Sequence, residues 1–181
     1  MQLADEQRLI ARVLDGHTED YGYFMERYGA ELFRIVSLLV HSQQDAEELV
    51  QDAFVRAYDR LHTYTGEASF STWLCRIAYN LTVSWLRKQK IQYISIDIRQ
   101  EISDRDIDEL LDDETRIQQL VMACAQLTPD EQMLINLFYY DERPLRDIAY
   151  IFNMEQGNVA TRLHRIRKKL YLIIKRMERH D

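Results

Sequence analysis

The stretch Arg143–Arg167, RPLRDIAYIFNMEQGNVATRLHRIR, decides the fold class of this chain. Ile148, Ala149 and Phe152 give a short first helix an apolar stripe. Asn153 falls where the chain must turn, and Asn is the best residue after glycine for a left-handed backbone position. Val159, Leu163, Ile166, Leu170, Ile173 and Met177 then recur at alternating steps of four and three. That spacing draws one apolar face on a long helix. The small Ala149, the turn at Asn153 and the anchor at Val159 suit two helices that cross closely, a helix-turn-helix. Such a unit can insert its second helix into a DNA major groove, whereas a plain helical hairpin would only extend a bundle.

Working outward, an all-α fold is expected. The 181 residues include only 5 Gly and 2 Pro, so helices should be long and turns few. Cys75 and Cys124 stand singly in apolar patterns without ligand spacing, so both are expected in the core. They are compatible with a reducing cytoplasm, the expected location, and the opening MQLADEQRLI, with early acids and no apolar core segment, gives no expectation of a secretory leader. No apolar run approaches the ~18 residues needed to span a membrane.

The net charge of -7 is unevenly distributed. Between Ile91 and Glu114, nine acids face only Arg99 and Arg105, an excess equal to the whole net charge. Between Gln156 and Arg179, eight Lys and Arg face Glu178 alone. Sorting of this kind says more about partners than the net value does. It divides the chain into a helical block over residues 1–90, an acidic connector over 91–115 and a helical, basic block over 116–181.

Within the first block, Asp45–Leu61 reads as a helix. Leu49, Val50, Ala53, Phe54, Ala57 and Leu61 form its packed face, and Glu48, Gln51 and Asp52 lie on the solvated side. A polar loop follows with Gly66 as its turn residue, and Ser69 or Ser71 is placed to cap the next helix. In that helix Phe70, Leu74, Ile77, Leu81 and Trp85 form the expected buried stripe. Arg76, Tyr79, Asn80, Val83 and Arg87 form the expected outer one, whose mix of aromatic, amide and cation suits single-stranded nucleic acid. In the last block Thr128, Pro129 and Glu131 form a capping box with Pro at the first helical position. Leu134, Leu137 and Phe138 follow on its apolar side.

Two stretches together resemble the extracytoplasmic-function group of bacterial sigma factors. Residues 44–90, QDAEELVQDAFVRAYDRLHTYTGEASFSTWLCRIAYNLTVSWLRKQK, are similar to that family's region 2, and YGYFMERYGAELFRIV at 21–36 fits the usual start of that region. Residues 127–170, LTPDEQMLINLFYYDERPLRDIAYIFNMEQGNVATRLHRIRKKL, are similar to its region 4. The resemblance implies a factor that binds core RNA polymerase and promoter DNA, with no catalysis of its own, no small-molecule substrate and no cofactor. It implies polymerase contacts at Asp45, Glu48, Gln51 and Asp52. It implies capture of the -10 element by Tyr64, Arg76, Asn80 and Arg87, with Tyr64 free in its loop to stack on an unpaired base. It also implies reading of the -35 duplex by Gln156, Asn158, Thr161, Arg162 and Arg165. An anti-sigma partner, often membrane-anchored in that group, is expected. One departure is Ala160, at a place where the family commonly carries a basic residue.

The alternative is a helix-turn-helix regulator whose N-terminal block senses a ligand or dimerises. An enzyme is disfavoured. The chain has no phosphate-binding Gly loop and no HExxH, and His17, His41, His62, His164 and His180 lack ligand spacing.

Overall fold

In the computed structural model residues 3–40, 42–89 and 114–178 are described, and the chain is all-α, with no strand among them. The acidic connector expected over 91–115 lies almost wholly outside the described residues. The chain divides into two compact units, Met1–Ile91 with Ala149–Asn153, and Gln92–Ile148 with Met154–Asp181.

The first unit begins with α1 (Leu3–Leu14), a 3-10 turn (Thr18–Tyr21) and α2 (Gly22–Ser37). Ile10 and Val13 put one face of α1 into the core. The Arg12 guanidinium donates to the Asp20 carboxylate, which ties α1 to the turn. α3 (Gln43–Asp59) starts two residues earlier than its apolar pattern suggests, because the Ser42 hydroxyl accepts from the Asp45 N–H and caps it. It also ends two residues earlier, and Leu61 is buried from a separate 3-10 turn, Leu61–Thr63.

α4 (Phe70–Lys88) is capped by Ser69, whose hydroxyl accepts from the Thr72 N–H. Its packed face keeps Phe70 and Leu74 of the expected stripe but otherwise differs. Leu74, Cys75, Ala78, Thr82 and Leu86 are buried, while Ile77, Leu81 and Trp85 are only half-buried. α3 presents Ala46, Ala53 and Ala57, all fully buried, and packs against α2 and α4. Small side chains on α3 and α4 allow the backbones to approach, so α4 turns its narrow side inward. The buried Thr82 hydroxyl donates to the Ala78 carbonyl at 2.8 Å, which removes the cost of an unpaired polar group.

An aromatic cluster closes the end of this unit. The Phe24 and Phe70 rings lie 4.4 Å apart, with Tyr28, Tyr64 and Trp73 around Phe70. Phe24 and Phe70 are almost wholly buried, which stabilises the unit by about 1.5–3 kcal/mol per ring.

The second unit contains α5 (Glu114–Cys124) and α6 (Pro129–Ile135). Cys124 is half-buried rather than a core residue, and burial pushes its thiol pKa up. The capping box at α6 is complete: Glu131 N–H donates to Thr128 Oγ1, and Thr128 N–H donates to Glu131 Oε2 at 2.8 Å. α6 runs on into a π-helical turn, Asn136–Tyr140, closed by the Asp141 N–H on the Asn136 carbonyl. Leu134 and Leu137 are buried there, but Phe138 is only half-buried, and Tyr139 and Tyr140 are exposed. The wider turn rotates those rings away from the packed side.

α7 (Leu145–Phe152), a turn through Asn153 at φ 53° and α8 (Gln156–Met177) follow in the order of a helix-turn-helix. Ile148, Ala149 and Phe152 are buried, as their spacing predicts. On α8, Val159, Leu163, Ile166, Leu170 and Ile173 are buried, with Met177 half-buried at the end. α8 packs on α5 and α6 through this face.

Candidate nucleic-acid interface

Burying one face of α8 leaves the other to solvent. Gln156, Asn158, Thr161 and Arg165 are all exposed, and the last three follow at steps of three and four on one side of the helix. Ala160 is exposed beside them and carries no polar group. The Thr161 hydroxyl donates to the Gly157 carbonyl at 2.9 Å, so its oxygen remains an acceptor. Glu155 stands at the N-cap without a side-chain hydrogen bond to the helix, which leaves early α8 N–H groups without a side-chain cap.

Arg162, grouped with this row from sequence, sits differently. It is half-buried, and its Nη2 lies 3.8 Å from the Asp130 carboxylate at the start of α6. Two turns further along α8, Lys169 is buried and its Nζ lies 2.7 Å from Glu131 Oε2. Neighbouring acids of one helix start therefore hold two cations spaced by seven on α8. Nothing in the periodicity of either segment signals these pairs, which join residues more than 30 positions apart.

In the first unit Arg76 and Asn80 of α4 border one hollow. Arg56 and Arg60, from the end of α3, border it too, and Trp73 supplies part of its wall. Arg76 is half-buried and Asn80 exposed. Arg56, Arg60 and Trp73 were not among the residues picked out from sequence. The signal available was the RAYDR spacing, which sets two arginines one helical turn apart. Arg87 is exposed in the last turn of α4, seven residues beyond Asn80 on the same side.

Tyr64 is not free in its loop. Its ring packs against Phe70 and Trp73, with centroids 5.7 and 5.3 Å away, and its hydroxyl donates to the Ala68 carbonyl at 2.8 Å. Burial, with the nearby Glu6 carboxylate, raises its pKa. Tyr64 therefore shapes the loop that carries Gly66, at φ 77°, and backs the Trp73 wall.

On α3, Glu48, Gln51 and Asp52 are exposed on one face, and Asp45 is half-buried at its start. Val55, 61% exposed, sits four residues after Gln51 and three after Asp52. An apolar side chain thus lies within the acidic face, which the charge pattern alone does not disclose.

Residues 24–91 match the family model described as Sigma-70 region 2, and residues 117–170 match that of Sigma-70, region 4. The chain is 31% identical over 183 residues to the ECF RNA polymerase sigma-E factor of Escherichia coli (strain K12), covering 93% of each. It is 29% identical over 178 residues to the ECF RNA polymerase sigma factor SigW of Bacillus subtilis (strain 168), covering 91% of this chain and 94% of that one. The structure of CnrH in complex with the cytosolic domain of CnrY has the same fold, with a TM-score of 0.65 at 20% identity, covering 92% of this chain and 95% of that one. The chain belongs to the sigma-70 family of RNA polymerase sigma factors, in its ECF group. It is a transcription-initiation factor, and the reading as a conventional helix-turn-helix regulator is set aside.

Proposed function

We propose that each unit carries one promoter contact. The exposed row of α8, Gln156, Asn158, Thr161 and Arg165, reads the -35 element as duplex, with Arg162 as a further cation beside it. An amide, a hydroxyl and a guanidinium at helical spacing match the donors and acceptors of a major groove. The hollow bordered by Arg56, Arg60, Arg76 and Asn80 holds the melted -10 strand, and Arg87 extends the cationic track. Guanidinium groups neutralise phosphate, and Asn80 offers both donor and acceptor to a base edge. Tyr64 acts here by fixing the loop and Trp73. The acidic face of α3, Asp45, Glu48, Gln51 and Asp52 with Val55 among them, docks on core RNA polymerase.

The observation that carries this reading is the pairing of two unlike polar surfaces, one helical row and one arginine-lined hollow, in separate units. The reading includes a 1–90 domain, a 91–115 connector and a 116–181 domain, a cytoplasmic location and an anti-sigma partner that restrains the factor. It includes no catalytic step. Among the described residues no helix is long and apolar enough to cross a membrane.

Transcription by core polymerase, with and without the protein, on a randomised promoter library tests the function and returns the recognised sequence. Absence of added transcripts over core alone would sink it. The same assay on Arg165→Ala and Asn80→Ala separates the two contacts, since a -35 defect and an opening defect select different sequences.

A further inference from the structure

Arg162 faces a choice between two anions. On DNA its partner would be a phosphate or a base edge. In the protein its neighbour is Asp130, 3.8 Å away, with the two side chains 35% and 38% exposed. Neither group is deeply buried, so the pair is open to exchange with an incoming anion.

What makes the neighbour more than a passing surface contact is how its position is held. Asp130 stands between Pro129, at the first position of α6, and Glu131, the capping-box acid. Glu131 is bonded to the Thr128 N–H and to the buried Lys169 ammonium through the same oxygen, Oε2. That network clamps the start of α6 to α8 two turns from Arg162. The Asp130 backbone cannot leave the side of α8 without breaking the Lys169–Glu131 ion pair. The carboxylate is thus tethered within reach of Arg162.

We propose that Asp130 is a built-in competitor for the DNA anion at Arg162, lowering the affinity of α8 for duplex of any sequence. The proposal rests on the reading of α8 as the DNA-facing helix. Its effect is electrostatic and independent of base sequence, so it acts on the phosphate share of binding. Discrimination is left to the exposed row, Asn158, Thr161 and Arg165. A factor weakened in this way does not hold to arbitrary DNA through α8 alone.

The magnitude follows from counterion release. Each phosphate neutralised by a Lys or Arg changes log K by about 0.9 per tenfold change in salt. Removing the carboxylate frees Arg162 to neutralise one more phosphate, and should therefore steepen the salt slope by about one. Relative to 1 M salt, it should tighten binding by about eightfold at 0.1 M.

The test uses the full chain and a labelled 30-base-pair duplex of mixed sequence, read by fluorescence anisotropy from about 0.02 M potassium chloride upward. Asp130→Asn should bind more tightly with the steeper slope. Arg162→Gln should bind more weakly, and Asp130→Asn with Arg162→Gln should bind like Arg162→Gln alone. Asp130→Ser repeats the test with a different neutral side chain at the start of α6, and thermal melts confirm that each variant folds. Unchanged or weaker binding by both Asp130 variants overturns the proposal. So does a gain that persists when Arg162 is absent, since Asp130 would then act without it. Arg165→Ala separates the two levels. If it and Arg162→Gln both leave duplex binding unchanged, the DNA-facing reading of α8 itself falls, and this inference with it.

Discussion

Removing Glu131 should cost far more than removing its partner Lys169. In Glu131→Ala the Lys169 ammonium keeps its buried place, with a side chain only 4% exposed, and loses its counter-ion at 2.7 Å. Breaking one side of a buried pair in this way costs about 3–5 kcal/mol. The Thr128 N–H also loses its acceptor, another ~1 kcal/mol. In Lys169→Met the remaining carboxylate is 20% exposed and still bonded to Thr128, so the charge keeps a partner and some water. Met matches the length of the lysine stem, and the expected change is within ~1 kcal/mol of zero. The double variant should recover most of the loss seen in Glu131→Ala. Urea unfolding measures this cleanly. Both tryptophans, Trp73 and Trp85, belong to the first unit, so their fluorescence reports that unit while circular dichroism reports both. The dichroism transition should move. An equal or larger loss for Lys169→Met would refute the reasoning, because the ammonium would then be the stabilising member.

Arg165→Ala should weaken promoter binding by ~1–3 kcal/mol at one base position if the guanidinium reads a base edge, or uniformly with a salt slope smaller by about one if it meets phosphate; competition binding across point-mutated promoters distinguishes these. Asn80→Ala should leave polymerase binding intact and open promoters poorly, seen as fewer permanganate-reactive thymines and relieved in part by a premelted bubble. Asn153→Ala, at φ 53°, should cost ~1–2 kcal/mol in dichroism-monitored unfolding, while Asn153→Gly should be tolerated better. Tyr21, Tyr28 and Tyr64 all have raised pKa values, each with burial as the largest cause. Folding therefore favours their neutral forms. The stability this confers is complete below the ordinary tyrosine pKa, about 10, and is lost as pH rises above it, so tryptophan-monitored midpoints should fall on that alkaline side.

The helix-turn-helix was legible because its signals are local. Asn153, the Thr128–Glu131 box and the α8 stripe each depend on residues a few positions apart. The packed face of α4 was not, since that helix carries large apolar residues on several sides. A search for big side chains selects Ile77, Leu81 and Trp85, whereas close packing on the alanines of α3 selects Cys75, Ala78 and Thr82. Tyr64 was read as exposed because a polar loop gives no hint that Phe70 and Trp73 converge on it. The acids that hold Arg162 and Lys169 were visible only as members of a cap. Their second partners come from a helix more than 30 residues away, which no window of sequence contains.

The loop before α4 also has a thermodynamic meaning. Fixing one residue's backbone costs about 1–2 kcal/mol of conformational entropy. Between Tyr64 and Ser69 much of that loss occurs when the chain folds, through the Tyr64–Ala68 bond, the packed Tyr64 ring and the Ser69 cap. On the proposed reading, a strand arriving beside this loop would meet a surface already ordered and need not supply that entropy at the moment of binding. Loosening the loop would consequently weaken binding without deleting any direct contact. In calorimetry the loss would fall in the entropy of association, with the enthalpy of the remaining contacts largely retained.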